Sequence, residues 1–124
     1  MVNFRRLFKS FGYAFKGLFK VFREEQNLRF QSFFAVLAIS LGFVFGITAT
    51  EWCFIVFSIT LVLIMEVVNS AVERVADVLR PRINNYIKEI KDITAAAVMV
   101  ASIGAVIIGL IVFFPYLYKI FVQF

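Results

Sequence analysis

The sequence predicts an all-α integral membrane protein with three transmembrane helices plus an N-terminal amphipathic surface helix. Three observations carry that expectation. Of 124 residues, 62% are hydrophobic and 17% charged, with a mean hydropathy of +0.92, whereas soluble domains run at about half apolar and roughly a quarter charged. Three apolar runs have the length of bilayer spans. The basic residues flank those runs: seven of the thirteen Lys and Arg precede residue 30, five lie from Arg74 to Lys91, and only Lys119 stands elsewhere. Seventeen phenylalanines in so short a chain require lipid as solvent. The net charge of +5 therefore reflects topology and anionic headgroups rather than nucleic acid. A chain of this length allows one domain, residues 1–124.

The surface helix is expected over about residues 4–25. Phe4, Leu7, Phe8, Phe11, Phe15, Leu18, Phe19 and Phe22 recur at helical spacing, with Arg5, Arg6, Lys9, Lys16, Lys20 and Arg23 on the other side. Such a helix lies flat in the interface, rings among acyl chains and cations among phosphates. The same pattern also fits packing against protein. No cleavable signal peptide is read there, because charge interrupts every apolar stretch.

The first spanning helix is expected over about residues 30–47, near the minimum for crossing hydrocarbon. The second begins near Trp52, an aromatic anchor, and continues to about Leu79, so its last turns emerge among headgroups. Arg80-Pro81 ends it, and a basic loop containing Asn84-Asn85 follows. The third spans about residues 93–116, with Tyr116 and Tyr118 as interfacial anchors. Ala97, Ala101, Ala105 and Gly109, and the pair Gly42 and Gly46, predict close helix–helix approach in lipid. Three spans alone hardly shield a polar cleft, so self-association is expected.

The positive-inside rule puts the N-terminus, the end of the second span and the start of the third on the cytoplasmic side of the membrane. The segment from Thr48 to Glu51 carries no Lys or Arg and faces outward.

One stripe defies the apolar pattern. Glu66, Asn69, Glu73 and Asp77 share a face of the second spanning helix at about 100° per residue. A charge buried at that depth costs from about 2.5 to more than 10 kcal/mol, so it is paired, solvated or bound to a cation. Topology brings Glu25 and Lys91-Asp92 to the same boundary. With no histidine and only Cys53, the usual zinc and haem sites are disfavoured and an intramolecular disulfide is excluded. A metal here is expected to be a hard cation on carboxylates, magnesium foremost. A lysine at a helix N-terminus seeks an anion. These groups together describe metal-assisted phosphoryl transfer, with a deep carboxylate to take a proton from a lipid hydroxyl. Gly12 and Gly17 have phosphate-loop spacing, but Leu18 follows where that loop needs Lys, so the motif is set aside.

Plainer readings compete at each position. Glu25 beside Glu24 also reads as solvated charge, Asn69 and Ser70 as interhelical hydrogen bonds, Asp77 as a partner of Arg74 or Arg80, and Lys91 as a topology signal. The residues alone describe a membrane site for a cation and an anion, suiting an enzyme and a transporter or assembly factor equally.

The spaced pattern Glu66-Val-Val-Asn69-Ser70-Ala71-Val-Glu73-x-x-x-Asp77, followed by Lys91-Asp92, resembles the signature of the small prokaryotic diacylglycerol kinase family, which are integral-membrane lipid kinases. Gly12-Tyr13-x-x-Lys16-Gly17-Leu18 and Glu25-x-x-x-Arg29 look like that family too, and the likeness runs from about Arg6 to Ala105. The resemblance implies a homotrimer with active sites shared between subunits, using ATP and Mg2+ to phosphorylate a membrane lipid alcohol. By the same resemblance, Glu66 is the general base and Glu25 and Glu73 are the magnesium ligands. Lys91 would neutralise charge on the transferring phosphoryl group. Arg6, Tyr13 and Asp92 would help hold the nucleotide, and Asn69 and Asp77 would support and orient the site. Glu25-Gln-Asn27-Leu-Arg29 resembles the undecaprenol-kinase branch. Gln31 and Ala95 stand where the diacylglycerol branch carries a carboxylate and a serine, so undecaprenol is favoured over diacylglycerol as acceptor. The rival expectation is a small oligomeric cation transporter using the same carboxylates, disfavoured because the acids of the second span cluster at its cytoplasmic end and no Asp, Glu, Lys or Arg lies between Trp52 and Glu66.

Overall fold

The structure, a computed structural model, describes residues 1–79 and 84–124. Its elements are α1 (Phe4–Glu24), α2 (Gln26–Phe45), α3 (Ala49–Leu79) and α4 (Asn84–Gln123), with no strand among the described residues. Helices α2, α3 and α4 are long and apolar enough to cross a bilayer. Large apolar side chains on them, Phe33, Phe43, Phe57 and Ile111 among others, point outward, as they must where lipid replaces water.

Asn3 starts α1 by accepting the Arg6 backbone N–H at 3.3 Å. The helix ends because Glu25 adopts an extended conformation, φ −102° and ψ 113°. Helix α2 then begins at once with Gln26, four residues before the position read from hydropathy. The corner is a single residue because Arg29 closes it: its Nη1 donates to the carbonyls of Phe22 at 3.0 Å and Arg23 at 2.6 Å. Those carbonyls belong to the last turn of α1, where no helical N–H reaches them.

Helix α2 stops at Phe45, two residues early, because Gly46 takes the left-handed conformation at φ 61°. Its N–H bonds the Gly42 carbonyl, and Ile47 N–H reaches the same oxygen at 3.2 Å. Gly46 is therefore a helix cap rather than half of a packing pair. Gly42 keeps the packing role: a Cβ there would fall 2.6 Å from Cη2 of Trp52. The indole lies against α2, its centroid 4.9 Å from that of the Phe43 ring.

Helix α3 begins at Ala49, three residues ahead of expectation, through a reciprocal cap. Glu51 N–H donates to Thr48 Oγ1 at 3.2 Å, and Thr48 N–H donates to Glu51 Oε1 at 2.9 Å. The Tyr116 hydroxyl donates to that same oxygen at 2.6 Å, so Tyr116 ties α4 to the start of α3. Helix α4 is 40 residues long, or about 60 Å, twice the hydrocarbon thickness. It runs nine residues ahead of and seven beyond the span read from hydropathy, since helix formation does not stop at the interface. Asn84-Asn85, expected in a loop, open this helix, which also contains Pro115. The expected stop at Arg80-Pro81 lies outside the described residues.

Helix α3 packs on both α2 and α4. Near the α2–α3 turn, Ile47, Ile55, Val112 and Phe113 form a buried apolar cluster backed by Phe45, Trp52 and Tyr116. Further along, α3 buries polar groups instead: Ser58, Glu66, Asn69 and Ser70. The apolar cluster holds the register in which that second set meets α2.

Candidate active site

Glu66 is 2% exposed. It accepts a hydrogen bond from Gln31 Nε2 of α2 at 3.4 Å, a long contact for a carboxylate buried this deeply. One turn further along α3, Asn69 Nδ2 donates to Glu73 Oε1 at 3.3 Å. The next residue, Ser70, 1% exposed, donates its hydroxyl to Glu25 Oε1 at 3.2 Å. Glu25 and Glu73 are thus each one hydrogen bond from adjacent residues of the same helix, within a single protomer. Glu25 and Glu73, the carboxylates expected as ligands, reach the same turn of α3, one turn from Glu66.

The corner carrying Glu25 is secured further by an ion pair between Arg74 of α3 and Glu24, the last residue of α1. The Arg74 guanidinium holds the Glu24 carboxyl below the usual glutamate range. Asp77 pairs with Lys91 at 2.5 Å, which joins α3 to the first turns of α4. Of the two expected partners of Asp77, Arg74 is engaged by Glu24 and Arg80 lies outside the described residues; Lys91 stands opposite Asp77 because α4 begins early.

Arg6 and Tyr13 are exposed on α1. At about 1.5 Å per residue they stand roughly 28 and 18 Å along that helix from Glu25. Asp92 is exposed beside Lys91. Within one chain Arg6 and Tyr13 do not reach the Glu25, Glu66 and Glu73 group.

Among the described residues two buried side-chain oxygens lack a hydrogen-bond partner, Asn69 Oδ1 and Gln31 Oε1. Such atoms are uncommon in folded proteins and call for an explanation. Among the described residues no three His, Cys, Asp or Glu side chains close into a metal cage. That donor set fits magnesium, which takes one or two carboxylates and completes its shell with water and substrate phosphates. An orphaned amide oxygen next to Glu73 fits the same ion.

Gln31 and Ser70 are the site neighbours that sequence reasoning left out of the site. The sequence ties Gln31 only to the choice of acceptor and Ser70 only to contact between helices. The available signal was weak: a polar side chain inside an apolar run, one helical face away from a known carboxylate.

Residues 12–113 match the model of prokaryotic diacylglycerol kinase. An undecaprenol kinase of Bacillus subtilis (strain 168) is 33% identical over 110 residues, covering 89% of each chain. A diacylglycerol kinase of Escherichia coli (strain K12) is 32% identical over 105 residues, 85% of this chain and 86% of its own. A diacylglycerol kinase of Haemophilus influenzae is 34% identical over 109 residues, 87% and 92% respectively.

Proposed function

The chain belongs to the prokaryotic diacylglycerol kinase family and is a membrane lipid kinase, and from that premise we propose that it transfers the γ-phosphate of magnesium-ATP to the hydroxyl of a membrane lipid alcohol. The observation that carries this reading is that Glu25, at the corner between α1 and α2, and Glu73 are hydrogen-bonded to adjacent residues of α3, one turn from the buried Glu66. Glu66 is the general base. Its depth in the bilayer suits a lipid hydroxyl, and Gln31 orients it. Glu25 and Glu73 hold magnesium, which neutralises phosphate charge when bound. Lys91, steered by Asp77, meets the developing charge on the phosphoryl group. Asn69 holds Glu73 in place.

Arg6, Tyr13 and Asp92 hold the nucleotide, and the distance of Arg6 and Tyr13 from Glu25 favours their acting on a neighbouring subunit's site. That arrangement suits a homotrimer with shared sites. Helix α1 lies in the interface as an amphipathic surface helix, with its phenylalanines among acyl chains. The N-terminus and the carboxylates face the cytoplasm, where ATP is available.

Undecaprenol is the favoured acceptor. The Bacillus subtilis relative is named for that substrate and the Escherichia coli one for diacylglycerol, at nearly equal identity, so names alone do not separate them. The neutral amide of Gln31 against Glu66 supports the undecaprenol side. The test is purified protein with γ-labelled ATP, offered undecaprenol and diacylglycerol separately. Faster labelling of undecaprenol at matched surface concentration is expected. Labelling of diacylglycerol alone would reverse the assignment.

A further inference from the structure

Hydroxyl side chains inside lipid-embedded helices ordinarily bond the carbonyl one turn back. Ser40 donates to Val36, Ser58 to Phe54, and Thr60 to Val56, each at 2.8 Å. Ser70 does otherwise. Its hydroxyl crosses from α3 to the Glu25 carboxylate, 45 positions away in sequence, from a side chain that is almost completely buried. Glu25 sits alone in the break between two helices with an extended backbone. Its N–H bonds the Val21 carbonyl at 2.8 Å and its own carbonyl accepts the Arg29 N–H at 3.4 Å. Those contacts hold the main chain but not the carboxylate. Something outside the corner has to aim it.

We propose that Ser70 is a positioning residue for the kinase reaction: its hydroxyl, with Arg29 closing the backbone of the same corner, holds the Glu25 carboxylate against the face of α3 that carries Asn69 and Glu73. The inference rests on the reading of Glu25 and Glu73 as the cation's ligands. Arg29 contributes through the carbonyls of Phe22 and Arg23, so α1 and α2 meet at a fixed angle. Ser70 then selects one side of that angle. A serine serves because it is small enough to be covered completely and donates a single proton to a carboxylate.

The experiment is Mn2+ binding, followed by electron paramagnetic resonance, to the purified full-length protein with a non-hydrolysable ATP analogue. Ser70→Ala is expected to weaken Mn2+ about tenfold, the lower end of what a hydrogen bond to a charged group is worth. The half-saturating Mg2+ for phosphoryl transfer should rise in parallel, with kcat at saturating Mg2+ nearly retained. In a Glu25→Gln background Ser70→Ala should add nothing, because the group it positions is already gone. Unchanged Mn2+ binding in Ser70→Ala, or a loss that adds fully to that of Glu25→Gln, would overturn the proposal. If Glu25→Gln itself leaves Mn2+ binding intact, the ligand assignment fails instead. Should Ser70→Ala not fold, Arg29→Lys at its exposed position decides. It keeps the charge but not the planar fork, and weaker Mn2+ binding is expected, with wild-type binding counting against the proposal.

Discussion

At the scale of single residues, the acidic stripe on α3 was legible because helical periodicity alone places Glu66, Asn69 and Glu73 on one face. Their partners were not, because Gln31 to Glu66 and Ser70 to Glu25 span 35 and 45 positions and depend on the register between helices. Glu73→Gln is expected to raise the half-saturating Mg2+ about tenfold while nucleotide binding without metal stays constant; an unchanged magnesium titration would remove Glu73 from the ligand set. The Glu24–Arg74 pair makes a claim about pH. The Glu24 carboxyl is lowered in the folded protein, chiefly by its hydrogen bond to Arg74. Its contribution is therefore present above the unfolded carboxyl range near 4.5 and is lost as pH falls through the lower folded value. Both partners are exposed, so the effect is small. Thermal midpoints of wild type and Arg74→Gln, measured from pH 7 down to pH 3, are expected to converge at the acid end; a constant gap would contradict the linkage.

At the scale of elements, three long apolar helices and a preceding helix could be read directly, and their ends could not. Hydropathy reports where lipid begins, whereas a helix ends where its backbone runs out of partners. The caps that set those ends were present in the sequence as Asn3 and as Thr48 with Glu51, and Gly46 was there as well, although its spacing from Gly42 suggested packing. The two glycines now make distinct predictions. Gly42→Ala puts a methyl into the Trp52 indole and is expected to cost about 1–3 kcal/mol, the usual range for overpacking. Gly46→Ala meets no neighbour but must hold a left-handed backbone, at about 1 kcal/mol. Thermal unfolding in detergent separates them: adding Trp52→Phe should relieve the first and leave the second untouched. Equal rescue of both would show that Gly46 packs on the indole as well.

At the scale of the whole molecule, the outward-facing phenylalanines agree with lipid as solvent, and one protomer leaves Arg6 and Tyr13 far from the carboxylates they are proposed to serve. No sequence pattern gives the relative placement of two copies, so this part of the site was reachable only through resemblance. The proposed trimer with shared sites is tested by mixing subunits. Arg6→Ala and Glu66→Gln chains, each inactive alone, should recover part of the wild-type rate when co-assembled, because some sites then draw both intact residues from different chains. No recovery in demonstrably mixed trimers would confine each site to one chain. The central claim is that the deep carboxylate on α3 takes the proton of a lipid alcohol as phosphate is transferred to it. Its most direct measurement is transfer of label from γ-labelled ATP to lipid alcohol by Glu66→Gln, alongside nucleotide binding by the same variant. Nucleotide binding near the wild-type level with transfer reduced at least a hundredfold is the expected result. Transfer at the wild-type rate would contradict the assignment of the base and the mechanism built on it.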